Sequence, residues 1–132
     1  MPGGTYCGAA PDGLLALVFN AVLDGTSLTL IKRFGTGKSP TNATFSPDGR
    51  YAYITYLADT VVSVVDAKNL EVLKNVEVGT NPYEVGVHPN GRSIYAIVTK
   101  EAALAIIDTA SWTVTGRIPL GTNPSGIFVR TD

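Results

Sequence analysis

Gly35-Thr36-Gly37-Lys38-Ser39 ends in the Gly-Lys-Ser of a phosphate-binding loop. That chemistry needs a glycine five positions before the second one, so that backbone N–H groups can wrap the phosphates. Lys32 stands there instead, and Pro40 follows directly. His88, the lone histidine, could ligate a metal or act as a general base. Cys7 is the lone cysteine. Alone it forms no disulfide within the chain and no cysteine-based zinc centre, and one histidine allows no multi-histidine site. Asp24, Asp66 and Asp108 could supply carboxylates, and Asn42-Ala43-Thr44 fits a glycosylation acceptor. No nucleophile, base and orienting acid stand together in the pattern, so no catalytic residue, metal site or cofactor is expected.

The spacing of these residues gives them a simpler role. Asp24, Asp66 and Asp108 are each 42 positions apart. Gly37, Gly79 and Gly121 keep that step, as do Pro40, Pro82 and Pro124. Pro47-Asp48-Gly49 recurs as Pro89-Asn90-Gly91. Residues 37–78 align with 79–120 without a gap, and five of the eight identities are turn residues. Turns need particular backbone angles, whereas core strands need only apolar bulk, so this is the residue a repeated fold leaves. The phosphate-loop likeness, the aspartates and His88, whose equivalents are Ser46 and Arg130, are then all punctuation of one repeat.

Each unit reads as four strands, about Asn42–Phe45, Tyr51–Tyr56, Val61–Val65 and Glu71–Val76 in the second. Pro47-Asp48-Gly49 suits a tight turn, with proline presetting φ and glycine taking the left-handed position. Asp66 suits an Asx-turn after the third strand. Val61, Val62, Val64 and Val65, and Ala103 to Ile107, are apolar on both faces, which requires cover on both faces. Trp112 aligns with Leu70 and Leu28 and is expected in the packing. The expected fold is all-β: a partial β-propeller of about three four-stranded antiparallel blades. The units are a shortened blade over 1–36, full blades over 37–78 and 79–120, and the inner strand of another over 121–132. The first is short because Gly13 to Asp24 spans 11 positions where Gly49 to Asp66 spans 17.

Gly79-Thr80-Asn81-Pro82, Val85-Gly86-Val87-His88-Pro89-Asn90-Gly91-Arg92, Ile94-Tyr95-Ala96-Ile97 and Ile106-Ile107-Asp108 resemble the YVTN-type β-propeller repeat. Ser46 to Thr55 and Val61 to Asp66 fit it equally, with the namesake tetrapeptide standing as Tyr53-Ile54-Thr55-Tyr56. The resemblance implies a surface or periplasmic propeller, with lactonase-like and haem-binding nitrite reductase propellers among its relatives. It is specific for fold and weak for function.

The net charge is −1 with scattered signs, which leaves no basic stripe for nucleic acid. The apolar run Leu14 to Leu23 is too short to span a bilayer, and no signal peptide is read in the chain. Closed propellers have at least about four blades. The chain therefore reads as the C-terminal part of a longer protein, or as one of several copies that close a ring, with self-association through exposed blade faces. The leading expectation is a non-enzymatic binding module. A propeller-enzyme fragment and a structural surface-layer or ring component are the alternatives. Loops joining strands two to three and four to one should share a rim. The candidate binding residues there and along the inner strands are Lys38, Asn42, Asp59, Asn81, Tyr83, Glu84, Lys100, Glu101 and Asn123.

Overall fold

A computed structural model describes residues 7–9, 11, 15–18, 21–27, 29–33 and 40–121. Twelve strands among these described residues fall in three groups. β1 (Cys7–Ala9), β2 (Leu15–Val18), β3 (Ala21–Asp24) and β4 (Leu30–Arg33) form the first sheet. β5 (Pro40–Phe45), β6 (Tyr51–Tyr56), β7 (Val61–Asp66) and β8 (Glu71–Glu77) form the second. β9 (Pro82–Val87), β10 (Ser93–Val98), β11 (Ala103–Asp108) and β12 (Thr113–Pro119) form the third. Each sheet is a four-strand antiparallel meander in chain order. The innermost strands β1, β5 and β9 lie side by side, so the sheets fan as propeller blades do. Despite its shorter sequence, the first unit keeps four paired strands.

The turns obey the residues that recur. Gly49 and Gly91 sit at φ 75° and 72°, and each donates its N–H to the carbonyl of Ser46 or His88. Asp66 Oδ1 accepts from the N–H groups of Lys68 and Asn69. Asp24 Oδ1 does the same for Thr26 and Ser27, and Asp108 Oδ2 accepts from the Ser111 N–H and hydroxyl. The turns they close hold one feature the sequence does not announce. Leu70 and Trp112 adopt φ 58° and 54°, unusual for bulky side chains, each with its N–H bonded to the aspartate carbonyl four residues back. Trp112 thereby reaches across to the second sheet, where its ring meets Tyr51 edge-on at 5.3 Å and Tyr53 at 6.1 Å.

The core lies between sheets. Tyr53, Val62, Val64 and Val76 of the second sheet pack on Val85, Ile94, Ala96, Val98, Ala105 and Ile107 of the third. β6 and β7 are covered on both faces, as a blade between two blades requires. In β11, by contrast, burial alternates. Ala105 and Ile107 are buried, while Leu104 and Ile106 on the opposite face are partly exposed. The expectation of cover on both faces therefore holds for β7 and only on one face for β11.

The aspartate turns give a pH dependence. Backbone donors from Ser27 hold the Asp24 carboxyl below its ordinary value, those from Asn69 do so for Asp66, and the Ser111 hydroxyl leads for Asp108. A carboxylate whose pKa is lower folded than unfolded adds stability above its unfolded pKa, about 3.9, and loses it as pH falls through the folded value. The melting temperature is expected to be level near neutrality and to decline below about pH 4, and Asp66→Asn should shallow that decline. Circular dichroism melts across pH check this. A wild-type melting temperature that stays level to pH 2 would contradict it.

Candidate functional site

Antiparallel strands place successive connections on alternate rims. Residues 57–60, 78–81 and 99–102 share one rim, and the tight hairpin turns 46–50, 67–70, 88–92 and 109–112 share the other.

The first rim holds Asp59, Asn81, Lys100 and Glu101 of the residues expected to bind. Asn81 sits at φ 59°, where asparagine is among the better tolerated residues. Its N–H donates to the Asp59 carbonyl, and its own carbonyl accepts from the N–H and hydroxyl of Thr99. The Asp59 carboxylate accepts from the Thr60 N–H. Glu101 accepts from the Thr80 N–H at 3.3 Å and lies 3.6 Å from Arg117, whose guanidinium also donates to the Val78 carbonyl at 2.6 Å. These contacts tie the second sheet's exit to the third sheet's loops. The Glu101–Arg117 pair is 44% exposed on each side, so it contributes little beyond geometry. Lys100 is exposed beside it.

Asn42 and Tyr83 lie on the adjoining inner strands β5 and β9, half-buried, and Glu84 stands opposite Ile97. The carbonyls of Asn42 and Tyr83 both face the fully buried Thr55 hydroxyl, at 3.4 and 3.2 Å. Thr55 thus joins the inner strands of two blades. The structure brings Asp59, Asn81, Lys100 and Glu101 to one rim, with Tyr83 and Glu84 on the strand that leaves it. Lys38, Asn123 and the 35–39 loop lie outside the described residues. His88 belongs to the opposite rim, where its Nδ1 accepts from the Asn90 N–H at 3.1 Å.

The hairpin rim holds a cavity that the sequence reading did not single out. It has a volume of about 540 Å³ and opens between the second and third sheets. Pro47, Asp48, Arg50, Tyr51 and Tyr53 line one side, and Pro89, Asn90, Gly91 and Thr109 the other. The Asp48 Oδ1 accepts from the Ser46 hydroxyl at 2.6 Å and from the Arg50 N–H at 3.0 Å. Those bonds, the Ser46 hydroxyl first, hold its carboxyl below the usual range, so it is ionised at neutral pH. The Arg50 guanidinium stacks 5.3 Å over the Tyr51 ring. Tyr53 is fully buried, and desolvation pushes its phenol far above the ordinary tyrosine value, so it is a neutral donor. The signal for this site was present in the tyrosine that recurs as Tyr95. A tyrosine in a buried repeat position carries a hydroxyl that needs a partner.

Residues 18–119 match the family model described as the cytochrome D1 heme domain. No curated protein matches the chain. Among solved structures, hydrazine synthase of Kuenenia stuttgartiensis superposes with a TM-score of 0.81 over 96% of this chain at 23% identity. The dihydro-heme d1 dehydrogenase NirN, in complex with DHE, superposes with a TM-score of 0.67 over 87% at 25% identity. The chain spans 38% of the first protein and 24% of the second. The three fanned sheets are accordingly blades of a β-propeller, part of a fold that these neighbours carry at greater length.

Proposed function

The chain belongs to the cytochrome D1 heme domain family, and we propose that it works there as a non-enzymatic interaction module that associates through the open face of its third blade. One comparison supports this reading. The second blade receives the third on Tyr53, Val62, Val64 and Val76, which are 0%, 0%, 0% and 3% exposed. Forty-two positions on, the same face of the third blade carries Tyr95, Leu104, Ile106 and Ile118. Three of these are partly exposed, and Ile118 is 47% exposed. Ile97, on the same face, is buried. The repeat thus presents a second copy of a surface that, one blade earlier, takes a blade.

The occupant we assign is the first blade of a second copy, docked head to tail. Such contacts close into rings when the rotation completes a turn. Two copies carry six four-stranded sheets among their described residues, within the range of about four to eight for closed propellers. The YVTN-like turn pattern supports the same reading, since it fixes the blade period and gives the recurring glycines, prolines and aspartates to turns.

The family's name raises haem. A haem seat needs an axial ligand such as histidine, cysteine, methionine or tyrosinate, commonly with cations for its carboxylates. Among the described side chains, His88 lies outside the cavity with one ring nitrogen engaged in its turn, and Tyr53 is held neutral by burial. The described lining of that cavity offers no histidine, cysteine or methionine for the group, and no step is derived through it. The turn bonds above account for the described aspartates and His88, which favours a binding role over a catalytic one.

Sedimentation velocity on the whole chain tests the proposal. A defined species of twice the 13.8 kDa mass is expected at about 10 μM or above. Ile106→Arg, with Leu104→Glu as a second variant, should return it to monomer without loss of the β-sheet spectrum. A wild-type monomer throughout, or dimerisation undisturbed by both changes, would overturn self-closure.

A further inference from the structure

The cavity between the hairpin turns of the second and third blades lies away from the docking face and needs its own account. We infer that it binds a neutral, hydroxyl-rich ring, the chemistry of a carbohydrate residue, with Asp48 accepting, Arg50 and Tyr53 donating, and Tyr51 and the two prolines supporting the ring's apolar face.

Tyr53 carries the argument. No described residue hydrogen-bonds its hydroxyl. Among the described residues no fully enclosed side-chain nitrogen or oxygen lacks a partner. Tyr53 is 0% exposed, and the sliver of surface left to its phenol oxygen lies where the residue lines the cavity. A buried donor left unmade is costly, and a ligand acceptor relieves that cost.

The neighbours narrow the ligand. Both protein bonds of Asp48 converge on Oδ1, which leaves Oδ2 as an ionised acceptor. The Arg50 guanidinium makes no ion pair among the described residues and rests on the Tyr51 ring. One acceptor-only group thus stands beside two donor groups. An anion would be opposed by Asp48 and a cation by Arg50, and an apolar molecule would leave Tyr53 unmade. Hydroxyls both donate and accept, and a sugar ring sets them around a C–H face that packs on tyrosine and proline. A volume of about 540 Å³ admits one or two such rings.

Trp112 is the only tryptophan in the chain, and its ring touches both cavity tyrosines. Its emission is therefore a built-in reporter. The full chain is titrated with methyl β-D-glucoside and cellobiose, and separately with sodium acetate and methylammonium chloride at matched ionic strength. A saturable emission change with a neutral sugar in the millimolar range is expected, weaker by about tenfold in Tyr53→Phe and in Asp48→Asn. Arg50→Gln, at an exposed position, serves as the variant least able to disturb folding and should weaken the response as well. Saturation-transfer NMR on the sugar protons reads the same binding without the tryptophan. No saturable response to either sugar up to about 100 mM would overturn the assignment. So would saturation by acetate or methylammonium, or a wild-type titration in Tyr53→Phe.

Discussion

Truncating Ile94 to alanine is expected to lower the unfolding free energy by about 2–5 kcal/mol. Ile94 is fully buried, pairs with Ile107 on one side and Val87 on the other, and belongs to the cluster that joins the second and third blades. Removing its outer carbons takes away apolar surface that was dry and leaves a void that a sheet, pinned on both edges by hydrogen bonds, collapses into poorly. The loss is a large part of the total stability of a domain of this size, about 5–15 kcal/mol. Leu73, on an outer strand and 51% exposed, is the control, and Leu73→Ala should shift stability by no more than about 0.5 kcal/mol. Urea denaturation of both variants decides the matter. A cost for Ile94→Ala below about 1 kcal/mol would mean that this cluster does not hold the blades together.

The contrast between those two isoleucine and leucine positions shows what a sequence of this kind conveys. Tyr51–Tyr56 was legible to the residue, because alternating and β-branched apolar residues end at a turn on either side. Asp66 was legible because a carboxylate two and three positions ahead of free N–H groups has one obvious use. Both depend on neighbours close in the chain. The positive φ of Leu70 and Trp112 was not legible, since the apolar side chain at that position argues for packing and says nothing of the backbone that delivers it.

The candidate site divides the same way. Asp59, Asn81, Lys100 and Glu101 could be assigned to a common rim because loop order alone decides it. What could not be read is that their polar groups are spent on joining loops, as with the Asn81 carbonyl on Thr99. The hairpin-rim cavity was hidden for another reason. Its two walls come from turns 42 positions apart, and each wall taken alone reads as turn chemistry. Only the stacking of one blade on the next sets Tyr53, whose hydroxyl has no partner among the described residues, along that space.

A sharper case is the glycine repeated at 37, 79 and 121, which the spacing alone treats as one requirement. Gly79 and Gly121 differ. Gly79 sits at φ 126°, which L-residues rarely adopt, and a Cβ there would press on the Glu101 carboxyl group and lie 2.9 Å from Val98 Cγ1. The Glu101 end can swing aside, giving up its contacts with Thr80 and Arg117. Val98 is fully buried and cannot. Around Gly121 no atom of the described residues lies within 4 Å of such a Cβ. Gly79→Ala is therefore expected to destabilise the fold by about 2–5 kcal/mol, from backbone strain of about 1–3 and overpacking of similar size. Gly121→Ala should be neutral or stabilising by up to about 1 kcal/mol, because alanine restricts the unfolded chain more than glycine does. Thermal and urea unfolding of the two variants side by side give the answer. Equal effects would mean that the repeat, rather than the local backbone and Val98, sets what each glycine must do.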